Sequence, residues 1–333
     1  MFKKTIVTLA VLASGAAFAQ VTVSGSLVSG FSGANTSVGA TSVLNKGTIA
    51  TSDESSSGFG VDTAEINFSV KEDLGGGMRA KASLGLVDMS RGSVRGAGNV
   101  NTGFGAGDTS ISLQNAMGEV RLSTLRKKDY LSTGVAGVGG TYMDGRVFSA
   151  RTSVDAVDVI VPVGPVSATF TYAEPNNALG LGAGTSGITG SRQLGVGLQY
   201  DQGALSVNGT YLTNENIGDK GHYRAATSYD FGVAKLGGGF EYASTELNGV
   251  KSTTTDMLVA VNVPLGATDV GVNWAQREIK DQTAGNGTFN GYGLKASYAL
   301  SKRTALSADY TIWTGYVNAP VQSQYNLFVA HSF

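Results

Sequence analysis

Ser323-Gln-Tyr-Asn-Leu-Phe-Val-Ala-His-Ser-Phe333 reads as a β-strand. Tyr325, Leu327, Val329, His331 and Phe333 fall on one face, while Gln324, Asn326, Ala330 and Ser332 share the other with Phe328. That two-residue period, apolar on one side and mostly small or polar on the other, is the signature of a strand. Its open hydrogen-bonding edge needs a partner, and residues 21–31, the first strand-like stretch after the leader, offer one. Pairing the two predicts a sheet closed into a barrel.

Residues 1–19 stand apart from that sheet. Lys3 and Lys4 precede a short apolar run over 5–12, and Ala17-Phe18-Ala19 has the small-x-small cleavage pattern, so 1–19 reads as a secretory signal peptide and 20–333 as the barrel. The run is too short to span a membrane as a helix, which takes about 18 apolar residues, and no later stretch reaches that length. Removing the leader takes two lysines and no acid from 24 basic and 25 acidic residues, leaving a net charge of −3. A nucleic-acid partner is not expected on that balance. The chain has no cysteine, which excludes a disulfide scaffold, a thiolate metal site and a cysteine nucleophile. With 48 glycines and 5 prolines it suits many strands joined by tight turns.

Alternation recurs throughout. Met78, Ala80, Ala82, Leu84 and Leu86 interleave with Arg79, Lys81, Ser83 and Gly85, and Leu306, Ala308, Tyr310 and Ile312 interleave with Ser307, Asp309 and Thr311. Short spacers with Gly, Asn, Asp or Pro (73–77, 115–118, 201–204, 230–233, 264–267, 301–304) alternate with long ones rich in Gly, Ser, Thr and Asn (32–60, 88–107, 128–153, 174–191, 245–252). Brief turns on one side and long loops on the other mark a membrane barrel. Sixteen strands are predicted: 21–31, 60–72, 77–88, 107–116, 118–127, 153–162, 165–174, 191–201, 204–214, 221–231, 233–245, 253–264, 267–279, 289–300, 304–315 and 323–333. The even count leaves both termini on one side, as closure demands.

Charge decides which face meets lipid. Turning the apolar set outward places Arg79, Lys81, Asp108, Glu119, Arg121, Arg224, Lys235, Glu241, Lys295 and Asp309 inside. Facing lipid at the midplane, an arginine or lysine would cost about 2–4 kcal/mol and an acid less. An interior lined so heavily with charge must be wet, and a sixteen-stranded barrel is too wide for side chains to fill. Outward Tyr223, Tyr229, Tyr242, Trp274, Tyr292, Tyr298, Tyr310 and Phe333 would form interfacial girdles.

Reaction chemistry is not expected, nor any cofactor. His222 opens a strand and His331 sits on an outward face; there is no His-Glu-x-x-His, Gly-x-Ser-x-Gly or phosphate-loop motif. Asp155 and Asp158 fall on opposite strand faces, which is poor geometry for a carboxylate pair. Gly237-Gly-Gly239 reads as a bend or a close approach inside a barrel.

Five stretches resemble the general-diffusion porins of betaproteobacteria and neisseriae: Lys71-Glu-Asp-Leu-Gly-Gly-Gly-Met-Arg-Ala80, Met117-Gly-Glu-Val-Arg-Leu122, Tyr229-Asp-Phe-Gly-Val-Ala-Lys235, Leu300-Ser-Lys-Arg-Thr-Ala-Leu306 and Val329-Ala-His-Ser-Phe333. Their order and spacing carry the resemblance. It implies an all-β, 16-stranded antiparallel transmembrane β-barrel in the outer membrane, a homotrimer among lipid and lipopolysaccharide, passing ions and small solutes. It further implies that the third long loop, 128–153 with Asp144, Arg146 and Arg151, folds inward and narrows the channel. The terminal strand, with Tyr325, Leu327, Val329 and Phe333 outward, would be what the barrel-assembly machinery reads during insertion. Departures from the family are equally informative. Glu65 and Ser69 stand where relatives carry arginines, Asp108 where they carry basic residues, and Leu122-Ser123-Thr124 where many have Leu-Gly-Arg; basic charge returns nearby as Arg126, Lys127 and Lys128. Partial cancellation of Arg79, Lys81 and Arg121 by Glu65 and Asp108 leads to an expectation of weak ion selectivity. Three readings remain open on the sequence: a passive porin, a substrate-specific channel, and a non-transporting barrel such as an adhesin or a barrel enzyme. Inward aromatics such as Phe289 and Trp313 are few for a sugar channel.

Overall fold

The computed structural model describes residues 19–36, 54–88, 104–125, 131–148, 154–174, 192–214, 218–247, 249–282, 285–314 and 321–333. Residues 1–18 of the leader, and Arg126, Lys127, Lys128 and Arg151, lie outside the described residues. The first eight strands are β1 Ala19–Thr36, β2 Glu54–Gly75, β3 Met78–Asp88, β4 Phe104–Asn115, β5 Gly118–Leu125, β6 Val154–Val163, β7 Val166–Glu174 and β8 Gln193–Gln202. The remainder are β9 Leu205–Asn214, β10 Asp219–Asp230, β11 Lys235–Leu247, β12 Val250–Leu265, β13 Thr268–Asp281, β14 Gly285–Ala299, β15 Thr304–Thr314 and β16 Val321–Ser332. Each pairs antiparallel with the next, and β1 pairs with β16, so the sheet is a closed barrel of sixteen strands.

The seam forms where the sequence predicts it. Leu27 faces His331 and Asn35 faces Ser323 across it; beyond them Gly25 N–H donates to the Phe333 carbonyl at 3.0 Å and Phe333 N–H to the Gly25 carbonyl at 3.1 Å. Two outward aromatics lie over outward glycines of the partner strand. A Cβ on Gly25 would stand 2.3 Å from the Phe333 ring, and one on Gly33 2.3 Å from the Tyr325 ring. Aromatic cover of a strand glycine pins the register.

Two predicted loops are shorter than the spacers suggested. The 32–60 spacer is ladder at both ends, since β1 and β2 stay paired up to Thr36 and Glu54. The 245–252 spacer is a tight hairpin in which Leu247 faces Val250. In the first, small residues such as Ser, Gly and Ala occupy both faces, so no alternation betrays the strand although the backbone bonds continue; in the second, Glu246 faces Lys251 and the ladder runs on to the turn. The 153–162 stretch, with an acid on each face, forms β6 all the same, because Arg121 on β5 stands directly opposite Asp158.

The two faces differ sharply. Leu113, Leu198, Leu294 and Leu327 are 57%, 52%, 50% and 53% exposed, with Tyr292 at 56% beside them. An apolar surface encircling the molecule is a lipid-facing band rather than a water-facing one. The other face carries small and polar residues, and on it sits the described part of the 128–153 spacer. Leu131, Ala136, Met143, Val147 and Phe148 are at most 4% exposed and form one cluster with Ala226, Leu258, Ala275, Phe289 and Trp313.

Candidate functional site

The candidate site is the inner wall and the segment 131–148 seated on it. Parity sets the wall. Outward Leu84, Ile111 and Val120 alternate with inward Lys81, Ser112 and Arg121, and Lys81 faces Ser112, which faces Arg121, which faces Asp158. A polar row thus runs laterally around the barrel.

Three arginines of the wall, Arg121, Arg224 and Arg277, are paired with carboxylates. Arg121 donates from Nε and Nη2 to Asp158 Oδ2 at 3.2 and 3.0 Å, and Thr171 donates to the other oxygen at 2.7 Å. Asp158 is 0% exposed, so its charge is met by protein groups and not by water, Arg121 and Thr171 among them. A second row crosses four strands: Arg224 faces Glu241, Glu241 faces Asp256, and Asp256 faces Arg277. Arg224 reaches Glu241 at 2.6 Å, and Arg277 grips both oxygens of Asp256 at 2.7 and 2.6 Å. Two adjacent carboxylates are tolerated because an arginine closes each end. The Arg277 guanidinium also lies over the Phe148 ring, 5.8 Å from its centroid.

The segment is fastened at several points. Asn273 accepts from Thr141 N–H at 3.3 Å and donates to the Thr141 carbonyl at 2.6 Å, and Thr311 donates to the Thr141 hydroxyl at 2.7 Å. Arg146 donates to Gln324 Oε1 at 2.7 Å and to the Tyr142 carbonyl at 2.5 Å, with its guanidinium 5.3 Å from the Trp313 centroid. Burial lowers the Arg146 pKa from its usual value, while the nearby charges of Asp309, Asp62 and Asp144 oppose the shift. Ser132 bonds Asp144, tying one end of the segment to the turn at the other.

Cavities open on this face. One of about 890 Å³ is bounded by Asp144 and Arg146 of the segment, Asp62 of β2, Lys295 of β14 and Asp309 of β15. Another of about 340 Å³ is bounded by Asp108, Arg121, Asp158 and Thr210. Among the residues singled out from sequence, Asp108 and Arg121 therefore share one cavity, and Asp144 and Arg146 another. Glu65 stands on the inner face opposite Ser26 and Val87. Arg79 and Lys81 face Gln114 and Ser112 and have no ion pair among the described residues. Tyr325, Leu327, Val329 and Phe333 are outward, 43–53% exposed.

The counting of charge from sequence needs one correction: Arg121 is not a free cation, because Asp158 neutralises it. Asp62, Lys71, Asp256, Arg277 and Asn273 were not singled out for the wall, and Asp158 was weighed only as half of a carboxylate pair with Asp155. Parity carried the signal for several of them. Asn273 and Arg277 alternate with outward Val272, Trp274 and Gln276, and Asp158 with outward Val157 and Val159. What parity cannot give is which inward residues on neighbouring strands stand side by side, since that depends on register.

Residues 7–312 match the family model of Gram-negative porins. Outer membrane porin protein 32 of Delftia acidovorans is 29% identical over 327 residues, covering 91% of this chain and 87% of that protein. Among solved structures, the anion-selective porin from Comamonas acidovorans aligns with a TM-score of 0.69 at 22% identity, over 95% of this chain and 100% of that one. The trimer form of OmpT from Vibrio cholerae aligns with a TM-score of 0.66 at 10% identity, over 95% and 100% of the two chains.

Proposed function

This chain belongs to the Gram-negative porin family, and from that premise we propose that it forms a water-filled, weakly ion-selective outer-membrane channel for passive diffusion of ions and small hydrophilic solutes. The observation that carries the proposal is the contrast between faces: an apolar outer band and an inner wall with ionised side chains on at least nine strands, among them β2, β3, β4, β10 and β15. Such a wall needs water. Porins are channels and not enzymes, in keeping with the lack of catalytic motifs. A substrate-specific channel would need an open row of aromatics, whereas Phe289 and Trp313 are 4% and 6% exposed beneath the segment. Vesicles reconstituted with the protein should swell in isotonic solutions of small neutral solutes at rates that fall with solute size; vesicles that stay tight to all of them would refute the proposal.

The constriction is segment 131–148. The chain leaves β5 and returns at β6, yet the segment bonds to β13, β15 and β16, far around the ring. Supporting contacts with distant strands on the inner face make it a chord across the lumen. Deleting residues 138–144 should raise single-channel conductance, and an unchanged conductance in a folded variant would put the constriction elsewhere.

Assembly as a homotrimer in lipid and lipopolysaccharide, delivered by the barrel-assembly machinery, completes the proposal. The trimer form of OmpT supports it by analogy of fold.

Selectivity should be weak. With Arg121 paired, Lys71, Arg79 and Lys81, which have no ion pair among the described residues, stand against Glu65, Asp108 and Glu119 on the same part of the wall. A fixed charge about 4 Å from an ion contributes roughly 1 kcal/mol in bulk-like water and roughly 4 kcal/mol near protein. Opposed charges leave a remainder below the about 1.4 kcal/mol that a tenfold preference needs. Salt shrinks it further as the Debye length falls from about 10 Å at 0.1 M to about 3 Å at 1 M. Zero-current potentials across a KCl gradient should be small for the native channel and shift toward anions in Asp108→Arg, most in dilute salt. A strongly anion-selective native channel, or an unmoved variant, would contradict the assignment of these wall positions.

A further inference from the structure

The inner wall beneath segment 131–148 is built to receive it. Gly237 and Gly239 of β11, Gly271 of β13, and Gly291 and Gly293 of β14 all point inward, and at each the space of a missing Cβ is taken by the segment. That Cβ would lie 2.4 Å from the Ala136 carbonyl oxygen at Gly237, 2.7 Å from Leu131 Cδ2 at Gly239, and 2.5 Å from the Gly140 nitrogen at Gly271. At Gly291 it would lie 2.5 Å from Val147 Cγ2, and at Gly293 2.2 Å from Thr141 Oγ1. On β8, where the segment does not reach, inward Gly195 and Gly197 meet only neighbouring wall atoms. The glycines under the segment therefore form a socket, and not merely a glycine-rich wall.

At the centre of the socket stands Asn273, 6% exposed between Gly271 and the facing Gly293. Its amide binds Thr141 as a neighbouring strand would, taking the N–H at 3.3 Å and giving to the carbonyl at 2.6 Å. A peptide in an irregular segment has no ladder partner of its own, and a buried one must find both bonds somewhere. Asparagine is a short side chain that carries a donor and an acceptor on separate atoms, as a peptide does. Aspartate would repel the carbonyl, and leucine would leave both peptide groups orphaned. Thr311 adds a bond to the Thr141 hydroxyl, so one residue of the segment is held through both its backbone and its side chain.

We propose that Asn273, seated between Gly271 and Gly293, is the positioning residue of the constriction: by holding the Thr141 peptide it fixes how far the segment projects from the wall and so sets the bore. The proposal rests on the reading of 131–148 as the constriction. Asn273 makes no bond that the barrel needs, because the β12–β13–β14 ladders are backbone bonds. Its loss should therefore alter the pore while leaving the barrel's resistance to heat in detergent unchanged.

The experiment compares single-channel recordings of the native protein, Asn273→Leu, the 138–144 deletion, and Thr141→Cys/Thr311→Cys with and without Asn273→Leu. The native chain is free of cysteine, and the two threonine hydroxyls are 2.7 Å apart, so the introduced thiols can bridge. Asn273→Leu should raise mean conductance and open-channel noise toward the deletion's values, with native heat-modifiability on gels. Oxidising the cysteine pair in the Asn273→Leu background should return both quantities to native values, and reduction should release them again. If the deletion raises conductance but Asn273→Leu leaves conductance and noise at native values, the positioning role is overturned while the constriction stands. If the deletion itself changes nothing, the constriction fails and the positioning role falls with it. Cysteines that do not bridge under oxidant in folded protein would contradict the seating of Thr141 on β15.

Discussion

Arg277→Met should destabilise the barrel by about 3–5 kcal/mol, the range for removing one partner of a buried ion pair. The side chains of Arg277 and Asp256 are 12% and 4% exposed, and the arginine meets both carboxylate oxygens. Without it Asp256 would face Glu241 with only Arg224, at the far end of the row, to answer two negative charges. The penalty comes from stranding a charge, not from losing an attractive contact. Arg277→Met/Asp256→Asn should therefore recover much of the loss, although the arginine's place over Phe148 is empty in both variants. Urea unfolding of folded protein in lipid bilayers measures the effect. A single variant as stable as the native chain, or a double variant no better than the single, would show that the row is solvated well enough to need no pairing.

Deleting Phe333 should leave the protein unassembled in the periplasm of cells, yet able to fold when diluted from urea into detergent. The magnitudes separate these outcomes. Phe333 adds two backbone hydrogen bonds to the seam, each worth about 0.5–1.5 kcal/mol net. Its ring, 48% exposed, covers Gly25 only in part. Against nine further facing pairs between β1 and β16 from Leu27↔His331 to Asn35↔Ser323, that loss is too small to open the barrel. A defect confined to cells would therefore reflect recognition of the terminal aromatic during insertion. Heat-modifiable trimers of the deletion variant in the outer membrane would contradict this. Failure to fold even in detergent would show that Phe333 closes the seam thermodynamically.

Much of this fold was legible in the sequence because a strand facing lipid on one side and water on the other must alternate. Tyr325, Leu327 and Val329 gave the last strand its outward face, and Leu84, Ile111 and Leu122 did the same for earlier ones, as their exposure agrees. Strand ends were hidden where Ser, Thr and Gly fill both faces, as between Ser32 and Thr36 of β1. The site was legible in kind but not in pairing. Arg121 could be placed inside by parity, yet its neutralisation by Asp158 depends on which residue of β6 stands opposite, a matter of register. Asn273 offered less still. A single polar residue between apolar ones marks only an inward position, and its partner Thr141 lies 132 residues away. Gly237 and Gly239 announced a close approach, but not that residues 131–148 would be what approaches.

The most direct test of the account is the current that purified protein carries across a planar lipid bilayer as the salt concentration is varied. A wet, weakly selective passage predicts discrete conductance steps, each rising in proportion to the conductivity of the bulk solution, with a small zero-current potential across a KCl gradient. No steps from correctly folded protein, or a conductance that saturates as salt rises, would contradict it.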